Sequence, residues 1–171
     1  MGEFISSGLF MDINTEAGQV TLRDEQRAWS IFEDAHKGFH GIQTPKDKPS
    51  DVDGFIVKDK IIISVVEVKC RYNLTYADFC SKFNNEWLVT FEKLENARRI
   101  ARGLCVSVTG FLFLVDEDIL LIQKISDMSG YIPNMRIERT ETQTTVNNSN
   151  MITRTNAFID MTNARVINNG F

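Results

Sequence analysis

Residues 61–69 read Ile-Ile-Ile-Ser-Val-Val-Glu-Val-Lys, and this segment constrains the fold more than any other. Six of the nine side chains are β-branched, which favours an extended backbone over a helix. Apolar residues occupy both parities of the run, so a strand here would bury both of its faces and lie inside a sheet, not at its edge. A sheet covered above and below needs helices or a second layer on each side, which implies an α/β architecture. The run closes on Glu67 and Lys69. Charges at the end of a central strand need partners or a chemical task.

The chain of 171 residues is sized for a single domain, 1–171, built on one core. Ala28, Trp29, Phe32 and Ala35 recur at helical spacing and predict a helix over about 24–37, closed by Gly38. His36 and His40 are four apart, but Gly38 between them ends the helix and argues against a shared metal. Residues 1–20 have mixed polarity and read as an extended arm turning at Ala17-Gly18. Strands are expected at about 39–44, 52–57 and 61–69, the last two joined by Lys58-Asp59-Lys60. Trp87, Leu88, Phe91, Leu94 and Ile100 supply one apolar side of a long helical stretch over 76–102, with Asn84-Asn85 as its weak point. Residues 104–115 and 119–125 read as a hairpin turning at Asp116-Glu117-Asp118. The Thr- and Asn-rich tail reads as small strands or loops, so 126–171 form a β-rich extension of a core spanning about 21–125.

Residues two apart on a strand share a face, so Glu67 and Lys69 project together, roughly 7 Å apart. A symmetric three-residue turn at Lys58-Asp59-Lys60 would set Asp51 opposite Glu67 and Asp53 opposite Val65, with odd-numbered residues of both strands on one face. A two-residue turn would flip that parity. Carboxylates beside an ammonium group suit phosphodiester hydrolysis. Hard oxygens hold Mg²⁺, the metal activates water and acts as a Lewis acid, and Lys69 can meet charge developing on the phosphate. The same residues on an exposed edge would be a simple ion pair.

Together, Asp53 heading one strand, Glu67-Val68-Lys69 on the next and the order of elements over about 24–125 resemble the PD-(D/E)xK nuclease superfamily. The resemblance implies a restriction endonuclease-like fold, a mixed central sheet flanked by helices. It also implies Mg²⁺ (or Mn²⁺) held by Asp53 and Glu67, with Lys69 catalytic. The sequence departs from the family pattern in that Pro49 precedes Ser50 and not an acid, so Asp51 and Asp53 both stand as the motif acid, with Asp53 favoured. An acidic residue from the first helix is expected at Glu25, with Glu33 as the alternative. Arg71 and Lys93 fall where such enzymes touch phosphates.

The function implied is a metal-dependent nuclease hydrolysing phosphodiester bonds in DNA, endo- or exonucleolytic and open to a structure-specific substrate. A twofold homodimer would suit symmetric cutting of two strands. The 19 basic against 23 acidic residues, a formal charge of −4, argue against a broad basic surface for nucleic acid. That balance keeps two alternatives in play: a catalytically inactive nuclease-fold protein serving as a nucleic-acid-binding or structural module, and a hydrolase of small phosphoesters. The longest apolar run, around 111–115, is too short to cross a membrane. The acidic Glu3 where a signal peptide would be basic, and three cysteines without metal-type spacing, give the expectation of a cytoplasmic protein with no membrane partner.

Overall fold

The computed structural model describes residues 16–47, 50–143 and 151–169. Helix α1 (Glu16–Ala35) is followed by strands β1 (Phe39–Gln43), β2 (Gly54–Lys58) and β3 (Ile61–Arg71). Then come α2 (Tyr76–Lys82), β4 (Glu86–Thr90), α3 (Phe91–Gly103), β5 (Ser107–Leu114) and β6 (Ile119–Lys124), with a short 3₁₀ turn between the last two. Strands β7 (Met135–Gln143), β8 (Met151–Asp160) and β9 (Arg165–Asn168) complete the order. The class is α/β, as the sequence implied.

The larger sheet runs β1-β2-β3-β5-β6-β9, and a smaller one runs β4-β8-β7. Strands β3 and β5 are parallel, while the remaining pairs of the large sheet are antiparallel, so the sheet is mixed. β3 is central and buried from Ser64 to Val68. Its odd-numbered side chains face α3 and the small sheet, where Val65 packs with Trp87, Val89, Leu94 and Ile159. Its even-numbered side chains face α1, where Val66 and Val68 pack with Trp29, Phe32, Phe111 and Phe113. Two apolar layers on one sheet account for the continuous β-branched run.

Three expectations are corrected. The first helix begins at Glu16, so residues 16–20 are helical and not part of an extended arm; residues 1–15 lie outside the described residues. The stretch 76–102 is not one helix. Asn84 and Asn85 take left-handed backbone angles (φ 51° and 58°), and Glu86–Thr90 then form a strand paired with β8. The cause is a distant partner, which overrides local helical spacing. The turn after β2 is also not three residues long: Lys58 pairs with Ile61 across Asp59 and Lys60, whose positive φ values (49° and 66°) suit a tight hairpin.

That shorter turn alone would set odd residues against even. However, the register shifts at Ile56/Val57, with Ile56 opposite Ser64 and Val57 opposite Ile62. Ile63 is thus an unpaired bulge residue. The bulge restores odd against odd, and Gly54 falls opposite Val66. The ladder ends there, and Asp53, one residue before Gly54, donates its N–H to the Val66 carbonyl; a three-residue turn would have set Asp51 opposite Glu67.

Glycine permits two close approaches. A Cβ on Gly54 would come within 2.7 Å of both the Trp29 ring and the Ile42 carbonyl oxygen, and one on Gly110 within 2.5 Å of the Trp87 ring. Gly110 is paired with Glu67, so Trp87 lies against the sheet next to the buried acid.

Candidate active site

Asp53 is fixed at both main chain and side chain. Its N–H donates to the Val66 carbonyl at 3.1 Å, and its Oδ2 accepts from the Val68 N–H at 2.9 Å. Its carbonyl accepts from Thr44 N–H, which ties the strand to the loop carrying Lys46. Oδ1 faces two ammonium groups, Lys46 Nζ at 3.2 Å and Lys93 Nζ at 3.5 Å. Glu67, with no exposed surface, has Lys69 Nζ 3.1 Å and Lys93 Nζ 3.3 Å from its Oε1. Glu25 on α1 joins through Lys46, whose Nζ lies 2.8 Å from its Oε2.

Three carboxylates (Glu25, Asp53, Glu67) thus meet three lysines (Lys46, Lys69, Lys93) in one neutral cluster. Lys46 bridges Glu25 and Asp53, and Lys93 bridges Asp53 and Glu67. The cluster is nevertheless unevenly satisfied. Among the described residues, Glu67 Oε2 has no partner, and the buried Trp87 indole Nε1 has none either.

The electrostatics separate the two central acids. Burial would push the Asp53 carboxyl up, but the ammonium groups of Lys93, Lys69 and Lys46 and the Val68 N–H hold it well below the usual carboxylate range. For Glu67 burial wins. Lys69 and Lys93 oppose it, the Asp53 charge adds to it, and the carboxyl is raised. Burial lowers Lys93 and Lys46, but the neighbouring carboxylates outweigh it and both are raised, so both stay charged. Two acids in one site with affinities pushed apart is a pattern common at catalytic centres.

Among the sequence candidates, Asp53, Glu67, Lys69, Lys93 and Glu25 come together. Asp51 does not: it is exposed and contacts Asn96 at 3.1 Å and Arg99 at 3.5 Å. Glu33 is also elsewhere, accepting from the Gly41 N–H at 2.6 Å at the sheet margin. Lys93 joins the cluster while its side chain stays about a third exposed. Arg71 lies two residues beyond Lys69 on the same face of β3, and its Nη2 donates to the Leu88 carbonyl at 3.2 Å. Burial lowers its affinity for its proton. Lys46 was missed. It stands in a polar loop, and nothing in Pro45-Lys46-Asp47 separates it from surface lysines.

The donor set suits a hard divalent cation, since Asp53 and Glu67 offer carboxylate oxygens and Glu67 Oε2 lacks a hydrogen-bond partner among the described residues. As they stand, no three Asp, Glu, His or Cys side chains among the described residues converge as a metal-ligand group; lysine ammonium groups lie between the acids. No helix among the described residues is long and apolar enough to cross a membrane. No protein-family model matches the chain, and a search of curated proteins finds no relative.

Proposed function

We propose that the cluster is the catalytic centre of a metal-dependent nuclease that hydrolyses phosphodiester bonds in DNA. The observation that carries this reading is the convergence of buried Asp53 and Glu67 with Lys69 and Lys93 on one face of a central strand. Asp53 and Glu67 would hold Mg²⁺ or Mn²⁺, which when bound lowers the pKa of water and polarises the phosphate. The Val68 N–H keeps Asp53 in one orientation. Lys69, a quarter exposed, would meet an arriving phosphate and neutralise charge growing on it. Lys93 holds the two acids in register. Trp87, against Gly110, keeps water from the buried side of Glu67.

The test is a cleavage assay on linear duplex, single strand, four-way junction and RNA, each with Mg²⁺, Mn²⁺ or EDTA. Metal-dependent cutting by the wild type and none by Lys69→Ala is the expected result. A second reading, a non-catalytic module with this cluster as a structural ion-pair network, is favoured by the match of three lysines to three carboxylates. Absence of cutting on every substrate by a well-folded protein would select it.

A further inference from the structure

The odd-numbered face of β3 carries Glu67, Lys69 and then Arg71, at steps of about 6.6 Å. Beyond the catalytic cluster this face opens into a cleft of about 620 Å³ between the end of β3, α2 and β4. Two residues of its wall adjoin the cluster. Leu112, paired with Lys69 across the sheet, forms part of its wall. Trp87, which lies against Gly110 beside Glu67, forms another part.

Its lining is unusual in two respects. Phe79, Phe83, Trp87, Phe158 and Tyr72 all contribute to it, with Phe83 and Tyr72 exposed and Trp87 and Phe79 buried. The lining also holds donors that lack acceptors. Among the described residues Arg71 forms no ion pair, and its one hydrogen bond goes to the Leu88 carbonyl. The Trp87 Nε1–H, on a residue only 1% exposed, meets no acceptor among the described residues. The two acids of the lining are already paired, Asp78 with Lys82 at 3.0 Å and Glu86 with Arg136 at 2.6 Å. A partly buried guanidinium without a counter-ion is costly to the fold alone and favourable to an anionic ligand.

We propose that this cleft receives an unpaired nucleotide of the substrate strand next to the scissile phosphate, with Arg71 on the neighbouring phosphate and the aromatic walls against the base. The inference rests on the nuclease reading of the cluster and narrows its substrate to strands with at least one unstacked nucleotide. The step from Lys69 to Arg71 is of the order of the spacing between successive phosphates of an extended strand. Aromatic side chains bind bases of any sequence through their faces, so the cleft selects single-stranded character and not sequence.

The experiment compares a labelled thymidine octamer with an abasic deoxyribose-phosphate strand of equal length and charge. Binding to the full chain is measured by anisotropy in EDTA and again in Ca²⁺. The thymidine strand should bind about tenfold or more tightly than the abasic one. Phe83→Ala should bring thymidine binding down to the abasic level while leaving abasic binding unchanged. Arg71→Met should weaken both strands alike and raise the urea midpoint of the free protein, whereas a merely structural arginine would lower it.

Equal affinity of the wild type for both strands, binding to neither, or equal loss on both in Phe83→Ala would overturn the proposal. Adding Mg²⁺ to the same strands separates the two readings. Cutting with no dependence on the base removes the cleft proposal and leaves the nuclease. Base-dependent binding without cutting in any divalent metal does the reverse.

Discussion

Replacing Lys46 with Met is the perturbation that most directly tests whether the acidic cluster is a cation seat. The ammonium lies 2.8 Å from Glu25 and 3.2 Å from Asp53, and without it three carboxylates face two lysines. Breaking a buried pair costs about 3–5 kcal/mol. The Lys46 side chain is 20% exposed, so about 2–3 kcal/mol is the better figure, and it lowers the melting temperature of the metal-free chain by about 4–12 °C. Metal binding moves the other way. A divalent ion about 4 Å from an ammonium is repelled by about 2 kcal/mol at the dielectric of water and about 8 kcal/mol at an effective dielectric of 20. Lys46 can swing towards solvent, so the low end applies, and Lys46→Met should bind Mg²⁺ about thirtyfold more tightly. Calorimetric melts in EDTA and in stepped Mg²⁺ read both effects. The variant should start lower than the wild type and gain more from each increment of metal. A variant that is destabilised yet shows the wild-type Mg²⁺ response, or a weaker one, would refute the competition between lysine and metal beside Asp53.

Other outcomes follow from the same geometry. The raised Glu67 carboxyl means that the folded chain holds this proton more tightly than the unfolded chain; its contribution to stability is present below the ordinary value of 4.5 and lost as pH rises through the folded value. Glu67→Gln should therefore raise the urea midpoint at neutral pH in EDTA while abolishing cutting, and a lower midpoint would contradict the burial argument. Asp53, held low by its lysines, contributes stability above its unfolded pKa of 3.8 and loses it as pH falls through the folded value. Asp53→Asn should accordingly lower the neutral-pH midpoint, whereas Asp51→Ala, at an exposed site, should change stability by no more than about 0.5 kcal/mol. Gly110→Ala forces a Cβ within 2.5 Å of Trp87, and overpacking there should cost about 1–3 kcal/mol and shift the Trp87 fluorescence; an unchanged melt and spectrum would show that the ring yields freely.

Much of this was legible in the sequence because the decisive features are local. The β-branched run of 61–69 marks a strand buried on both faces, and its two terminal charges mark the face that carries the cluster. Asp53 was expected at the head of a strand; the strand starts at Gly54, where the Trp29 ring and the Ile42 carbonyl leave no room for a Cβ. What was not legible depends on distant parts of the chain. Glu86–Thr90 carry apolar residues at positions that also suit a helix, and only β8 makes them a strand. The pairing of Gly54 with Val66, which brings Asp53 to the cluster, depends on the bulge at Ile63 compensating a two-residue turn, and two such offsets cannot be read from a polar tripeptide. Lys46 joined the cluster because Thr44 anchors its loop to Val52 and Asp53, contacts that no spacing rule announces.

The pairing of β4 with β8 also orders events during synthesis. Thr90 meets Asn156 and Glu86 meets Asp160, so the strand that seats Trp87 over Gly110 has no partner until the chain has grown some seventy residues past it. Long-range pairing of this kind forms late. Glu67 and Lys69 leave the ribosome early on a strand that can pair at once with β2, but the wall that dries Glu67 closes only when β8 arrives. A growing chain therefore carries Glu67 and Lys69 well before it carries the strand that backs Trp87.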